Sequence, residues 1–127
     1  MDFAHLIGIR YKEGGADLNG FNCWGLLRYV LAQHFNKQLP AITLGDADGI
    51  RYAHSDAMQR GIYSPVGIPQ HGDPVLLRGG DNPHVGIYLD IDGGGVLHSI
   101  DPYGVTWTKM RNLRTLGFSR YQFYRVN

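Results

Sequence analysis

The sequence predicts an α+β fold, with helices in the first half packed on or beside an antiparallel sheet built from the second. Two observations carry this. Up to about residue 60, apolar residues recur at steps of three and four; beyond Gly61 they fall into short alternating runs separated by Gly, Pro and Asp. Helices first and strands afterwards are the order of an α+β domain.

A short helix is expected over residues 2–7, with Asp2 as its cap, Phe3, Leu6 and Ile7 on one side, and Gly8 as its stop. Residues 10–20 are turn-rich, with glycines at 14, 15 and 20. A longer helix then opens behind Asn22, a residue whose side chain can cap free N–H groups, and runs to His34 or Phe35. Trp24, Leu27, Val30, Leu31 and His34 mark its face, and Pro40 lies beyond its exit loop. A second helix is predicted from about residue 48 to Arg60, with Ile50, Ala53, Ala57 and Met58 on one face and Gly61 as the stop. Strands are predicted over 74–78, 84–90, 96–100, 105–110 and 120–126. With no internal repeat, low-complexity tract or linker, residues 1–127 read as one domain.

Composition narrows the partners. A hydrophobic content of 43% with 18% charged residues is that of an ordinary globular chain. Twelve Lys and Arg against eleven Asp and Glu are scattered rather than striped, which argues against nucleic acid. The one cysteine excludes an internal disulfide, and neither Cys-x-x-Cys nor His-Glu-x-x-His is present to suggest structural or protease-type zinc. Arg78-Gly79-Gly80-Asp81 is followed by no Gly-Lys-Ser/Thr, so it reads as a turn and no phosphate cofactor is implied. No apolar run is long enough to span a bilayer, and no basic n-region with an apolar h-region opens the chain. The chain is therefore expected to be made in the cytoplasm, without a membrane partner.

Cys23 falls in the first turn of the Asn22-capped helix. Unpaired N–H donors and the positive end of the helix dipole both favour thiolate there, although a lone cysteine is also a common apolar filler. Partners for it are sought among six histidines. In His84-Val85-Gly86-Ile87-Tyr88-Leu89-Asp90 the aliphatic residues alternate with His84, Gly86 and Tyr88, while His98 shares a side with Val96 in the next run. The glycines at 93–95 make these two strands a hairpin. If Gly86 pairs with His98, His84 becomes a diagonal same-face neighbour of His98; a register slipped by one residue would put the two rings on opposite faces. In the first register, Cys23, His84 and His98 supply a nucleophile, a base and an orienting group. A metal held by these three would lack the spacing of a known zinc motif. His5, His34, His54 and His71 read as surface or core-edge residues.

Five elements in sequence order now resemble a known family: Tyr11-Lys12-Glu13-Gly14-Gly15, Asn22-Cys23-Trp24-Gly25-Leu26, Gly72-Asp73, His84-Val85-Gly86-Ile87-Tyr88 and Leu97-His98-Ser99. The chain resembles the NlpC/P60 family of cysteine peptidases, in particular its branch among bacteriophage tail assembly proteins. The resemblance implies a minimal papain-like α+β domain, its N-terminal helices packed on an antiparallel sheet of five to six strands. It implies hydrolysis of amide bonds in peptidoglycan stem peptides, with Cys23 as nucleophile, His84 as base and His98 as orienting residue. Tyr11 would lend its hydroxyl to the substrate or oxyanion, beside the Cys23 backbone N–H. Other phage tail proteins would be partners, and the protein would pass from the host cytoplasm to the virion tail and act at the cell wall. A tail assembly factor that only binds, or a thiol peptidase that processes a tail protein, are the rival readings. Asn22 stands where the family usually has an acid, and Trp24 where many of its wall hydrolases have a small residue, so Trp24 is either core packing or one wall of the cleft.

Overall fold

The computed structural model describes residues 3–41, 46–79 and 83–127, apart from the side chains of 46 and 47. Two helices, α1 (Cys23–His34) and α2 (Asp46–Gln59), precede the main sheet. A small hairpin, β1 (Ala16–Asp17) and β2 (Gly20–Phe21), leads into α1. The main sheet contains β3 (Tyr63–Val66), β4 (Pro74–Arg78), β5 (His84–Leu89), β6 (Gly95–Ile100), β7 (Gly104–Lys109) and β8 (Arg120–Val126). Its order is β3-β8-β4-β5-β6-β7 and every neighbouring pair is antiparallel.

Asn22 starts α1 as expected. Its Oδ1 accepts from the Gly25 N–H at 2.6 Å, and its carbonyl accepts the first helical bond from Leu26. Trp24, Leu27, Val30 and Leu31 are buried, whereas His34 is exposed. The helix packs on β5 and β6. Val85, Ile87 and Leu89 join its core together with Leu97 and Val105, while Val75, Leu77, Val96, Leu113 and Phe123 form a second cluster flanked by Tyr88. The period-two alternation read in the strands is thus the alternation between two cores.

Four expectations change. The first helix is a single 3-10 turn, Ala4–Leu6, with Phe3 at its cap position and no side-chain cap; Asp2 lies outside the described residues. It stops early because Gly8 donates to the Val105 carbonyl and Val105 donates to that of Ile9, drawing the chain alongside β7. Ile7 is consequently 43% exposed. The turn-rich stretch contains β1 and β2, each too short for a periodic signal. Before β4 the sheet gains β3, which holds Pro65; it is an edge strand, where a missing N–H removes no ladder bond. After β7, which ends at Lys109, the chain makes 3-10 turns at Met110–Asn112 and Arg114–Leu116.

The second helix ends as predicted. Gly61, at φ +68°, donates to the Met58 carbonyl, and Ile62 donates to that of Ala57, the paired bonds of a Schellman stop. Ile50, Ala53 and Ala57 are buried, while Met58, expected on the same face, is exposed. The Gly72-Asp73 element is structural: buried Asp73 accepts from the Gln70 N–H at 2.7 Å and from the Arg125 guanidinium at 2.7 and 3.2 Å, fixing the entry to β4 against β8.

Candidate active site

The β5–β6 register is the one in which the histidines can meet. Ile87 faces Leu97, Tyr88 faces Val96 and Leu89 faces Gly95; one step further along sets Gly86 opposite His98. His84 Nε2 lies 2.8 Å from His98 Nδ1 in a direct hydrogen bond. Gly86 makes room for it. A Cβ at residue 86 would run into Val96 Cγ1 and lie 2.9 Å from the Leu97 carbonyl oxygen and 3.0 Å from His98 Cβ. Gly86→Ala is therefore expected to cost about 1–2 kcal/mol in denaturant unfolding through overpacking, and to displace the His98 ring.

Two further residues complete the pair's surroundings. His98 Nε2 is 2.9 Å from Thr108 Oγ1, and both residues are buried. Phe118 stacks on His84 with centroids 5.1 Å apart and planes 7° from parallel, and meets His98 edge-on at 6.0 Å. Neither residue stands out in the sequence: Thr108 shares a face of β7 with Thr106, and Phe118 lies in the gap between the last two predicted strands.

Desolvation holds both imidazoles well below the ordinary histidine value of 6.5, to about 3 for His84, where the neighbouring His98 adds to the effect, and to about 4 for His98. Both rings are neutral at neutral pH, and the same desolvation opposes the imidazolium that a proton taken from the thiol would create, so a thiolate beside the ring must offset it. An unfolded chain would protonate them near 6.5 while the folded chain keeps them neutral, so the unfolded state binds more protons below that value. Stability is thus expected to be full above about pH 6.5 and to fall as pH drops toward 3. Unfolding midpoints measured across this range should decline less steeply in a His84→Gln, His98→Asn chain.

Cys23 is the first residue of α1 and is 4% exposed. It belongs to the core cluster that contains Val85 and Leu97, the residues of β5 and β6 that face α1, whereas His84 and His98 alternate onto the face shared by Tyr88 and Val96. A second tie links helix and sheet: Ser99 Oγ donates to the Phe21 carbonyl at 2.8 Å, joining the residue after His98 to the chain two residues before Cys23. Phe21 O also accepts from the Lys12 N–H at 3.1 Å, and Tyr11 bridges Phe21 in parallel. Tyr11, half-buried, is therefore fixed by its backbone to the entrance of α1.

The Gly14-Gly15 pair has two reasons: Gly14 sits at φ +69° with open space around it, and a Cβ at residue 15 would run into the Gly20 carbonyl. Gly15 donates to the Lys12 carbonyl at 2.8 Å and accepts from the Asn22 N–H at 2.9 Å. Its carbonyl lies over Gly25, so that the loop rests directly on the helix's first turn. Trp24 is 1% exposed and donates from Nε1 to the Pro40 carbonyl at 2.7 Å; one turn on, Arg28 Nε donates to that of Leu39 at 2.9 Å. Trp24 is core packing that ties α1 to its exit loop. It also helps line a cavity of about 150 Å³ with Gly14, Asn22, Gly25, Arg28 and Ala41, between the 14–20 loop and the exit loop of α1. Residues 42–45 of the exit loop lie outside the described residues, as do Gly80 and Asp81, half of the turn expected at 78–81.

The other histidines stand apart. His5, His34 and His71 are exposed, with His71 Nδ1 accepting from the Asp90 N–H at 2.9 Å. His54 is at the core edge, bonded to the Tyr63 hydroxyl and in edge contact with Tyr124.

Comparison with known proteins agrees with this architecture. Residues 8–118 match the NlpC/P60 family. A probable endopeptidase of Haemophilus influenzae is 29% identical over 108 residues, 83% of this chain and 59% of that protein, so the chain spans well under two thirds of its curated relative. The crystal structure of the NlpC/p60 domain of peptidoglycan hydrolase SagA superposes with a TM-score of 0.61 at 26% identity, covering 93% of this chain and 88% of that one.

Proposed function

The chain belongs to the NlpC/P60 family, and from that premise we propose that it is a cysteine peptidase hydrolysing amide bonds of peptidoglycan stem peptides. The observation that carries the reading is the hydrogen bond between His84 and His98 on β5 and β6, the two strands on which α1 packs with Cys23 at its capped start.

The roles follow from the bonds. With Nε2 engaged by His98, His84 has Nδ1 left for the Cys23 thiol proton. The thiolate attacks the scissile carbonyl carbon, forming a C–S bond and a tetrahedral oxyanion. The Cys23 backbone N–H, ahead of the first helical hydrogen bond, and the Tyr11 hydroxyl stabilise that oxyanion. His84 returns its proton to the amine as the C–N bond breaks, leaving a thioacyl enzyme. Water then attacks the thioester with His84 as base; the acid departs and the thiol re-forms. Asn22 caps the helix without placing a carboxylate beside the thiolate.

The setting we propose is a phage or prophage tail, supported by the Asn22-Cys23-Trp24 pattern, where the resemblance to the tail branch is carried. The test is digestion of purified sacculi followed by mass spectrometry of the released peptides. Native protein should cut one stem amide bond, and Cys23→Ala none. Intact stems after prolonged digestion with native protein would refute the activity.

A further inference from the structure

We infer that Thr108 is a positioning residue of the reaction: its hydroxyl oxygen accepts the His98 Nε2 proton and thereby fixes the direction of the whole proton chain. The inference rests on the cysteine-peptidase reading and adds a residue to it.

The geometry begins in the β6–β7 register. Thr106 stands directly across from His98, and Thr108 across from Val96. Thr106 Oγ1 is turned to its own strand, donating to the Gly104 carbonyl at 3.1 Å. His98 instead reaches diagonally to Thr108 at 2.9 Å, as His84 reaches diagonally to His98 at 2.8 Å. The result is an unbroken line, His84 Nε2 to His98 Nδ1 and His98 Nε2 to Thr108 Oγ1. His98 is wholly buried and Thr108 is 6% exposed, so no bulk water can replace either partner.

Proton counting then sets the direction. Once His84 has taken the thiol proton it carries hydrogen on both nitrogens, so its Nε2 must donate to His98 Nδ1. A neutral His98 that accepts at Nδ1 has its own proton at Nε2, and the group bonded there is Thr108 Oγ1, which must accept. In the reverse direction Thr108 donates, His98 carries its proton at Nδ1, and neutral His84 presents Nδ1–H to the thiol. That arrangement has no base facing the sulfur. A buried N–H without an acceptor is heavily penalised, so removing the Thr108 oxygen should favour the reversed, unreactive tautomers.

The experiment is imidazole ¹⁵N NMR on the native chain, Thr108→Val and Thr108→Ser, with Cys23 alkylation followed against pH on the same samples. The native chain and Thr108→Ser should show His98 as the Nε2–H tautomer, and Thr108→Val should shift it toward Nδ1–H. Alkylation near neutral pH should slow by roughly 10- to 100-fold in Thr108→Val, the factor an unmet buried donor is worth, and recover in Thr108→Ser. Nδ1–H at His98 in the native chain, or the same tautomers and pH profile in the valine chain as in the native one, would overturn the inference. Because the tautomer is read without any substrate, its result stands apart from whether sacculi are cut; a Thr108→Val chain that failed to fold would leave the native and serine tautomers to decide.

Discussion

Replacing Cys23 with alanine is expected to abolish stem-peptide hydrolysis, and replacing His84 with alanine to lower its rate by about 10²- to 10⁴-fold, the usual worth of a positioned base. The reasons differ. Without Cys23 no thioacyl intermediate can form. Without His84 the thiol remains but loses the ring proposed as its base, which a second ring holds at 2.8 Å. Single-turnover rates on a defined stem peptide would measure both. Equal, modest losses in the two variants would show that neither group takes part in bond making. The fold should survive the His84 change, since a half-buried strand-end residue is shortened and the main apolar clusters do not include it.

The second large effect is on stability. Gly25→Ala would help an isolated helix by about 1 kcal/mol, because alanine is the better helix former. Here the sign should reverse. A Cβ at residue 25 would run into the Gly15 carbonyl oxygen and lie 2.9 Å from both Ala16 Cα and Asn22 Oδ1. Two of these atoms are backbone, and the third is the cap of the helix, so no flexible side-chain end can give way. The Gly15 carbonyl is also held by the Asn22 N–H, so moving the loop breaks the bond that seats it. A loss of about 3 kcal/mol is expected in urea unfolding, at the upper end of ordinary overpacking. A gain in stability would mean that residues 14–16 are free to lift from α1.

Much of this was legible in the sequence because it rests on local rules. Asn22 before an apolar repeat is a cap signal, Gly61 a stop signal, and the alternation around Gly86 encodes which residues share a face. The hairpin register needed more than pattern, since a turn containing three glycines permits several closures; the structure selects the one in which Gly86 lies across from His98. What stayed hidden depends on tertiary neighbours. Thr106 and Thr108 are the same residue type on the same face of one strand, and only the diagonal lean of His98 tells them apart. Phe118 reaches His84 through two 3-10 turns that carry no strong periodicity. Pro65 argues against a strand unless that strand is known to be at an edge, and edges are set by sheet order. Trp24 could be read as core or cleft until its N–H was seen to end on the Pro40 carbonyl.

Whether His84 acts on Cys23 as its base is decided by the rate of Cys23 alkylation against pH in the native chain and in His84→Ala. An inflection well below the free-thiol value of about 8.5 is expected in the native chain, moving upward in the variant. An unreactive thiol, or an ordinary profile that the substitution leaves unchanged, would contradict it.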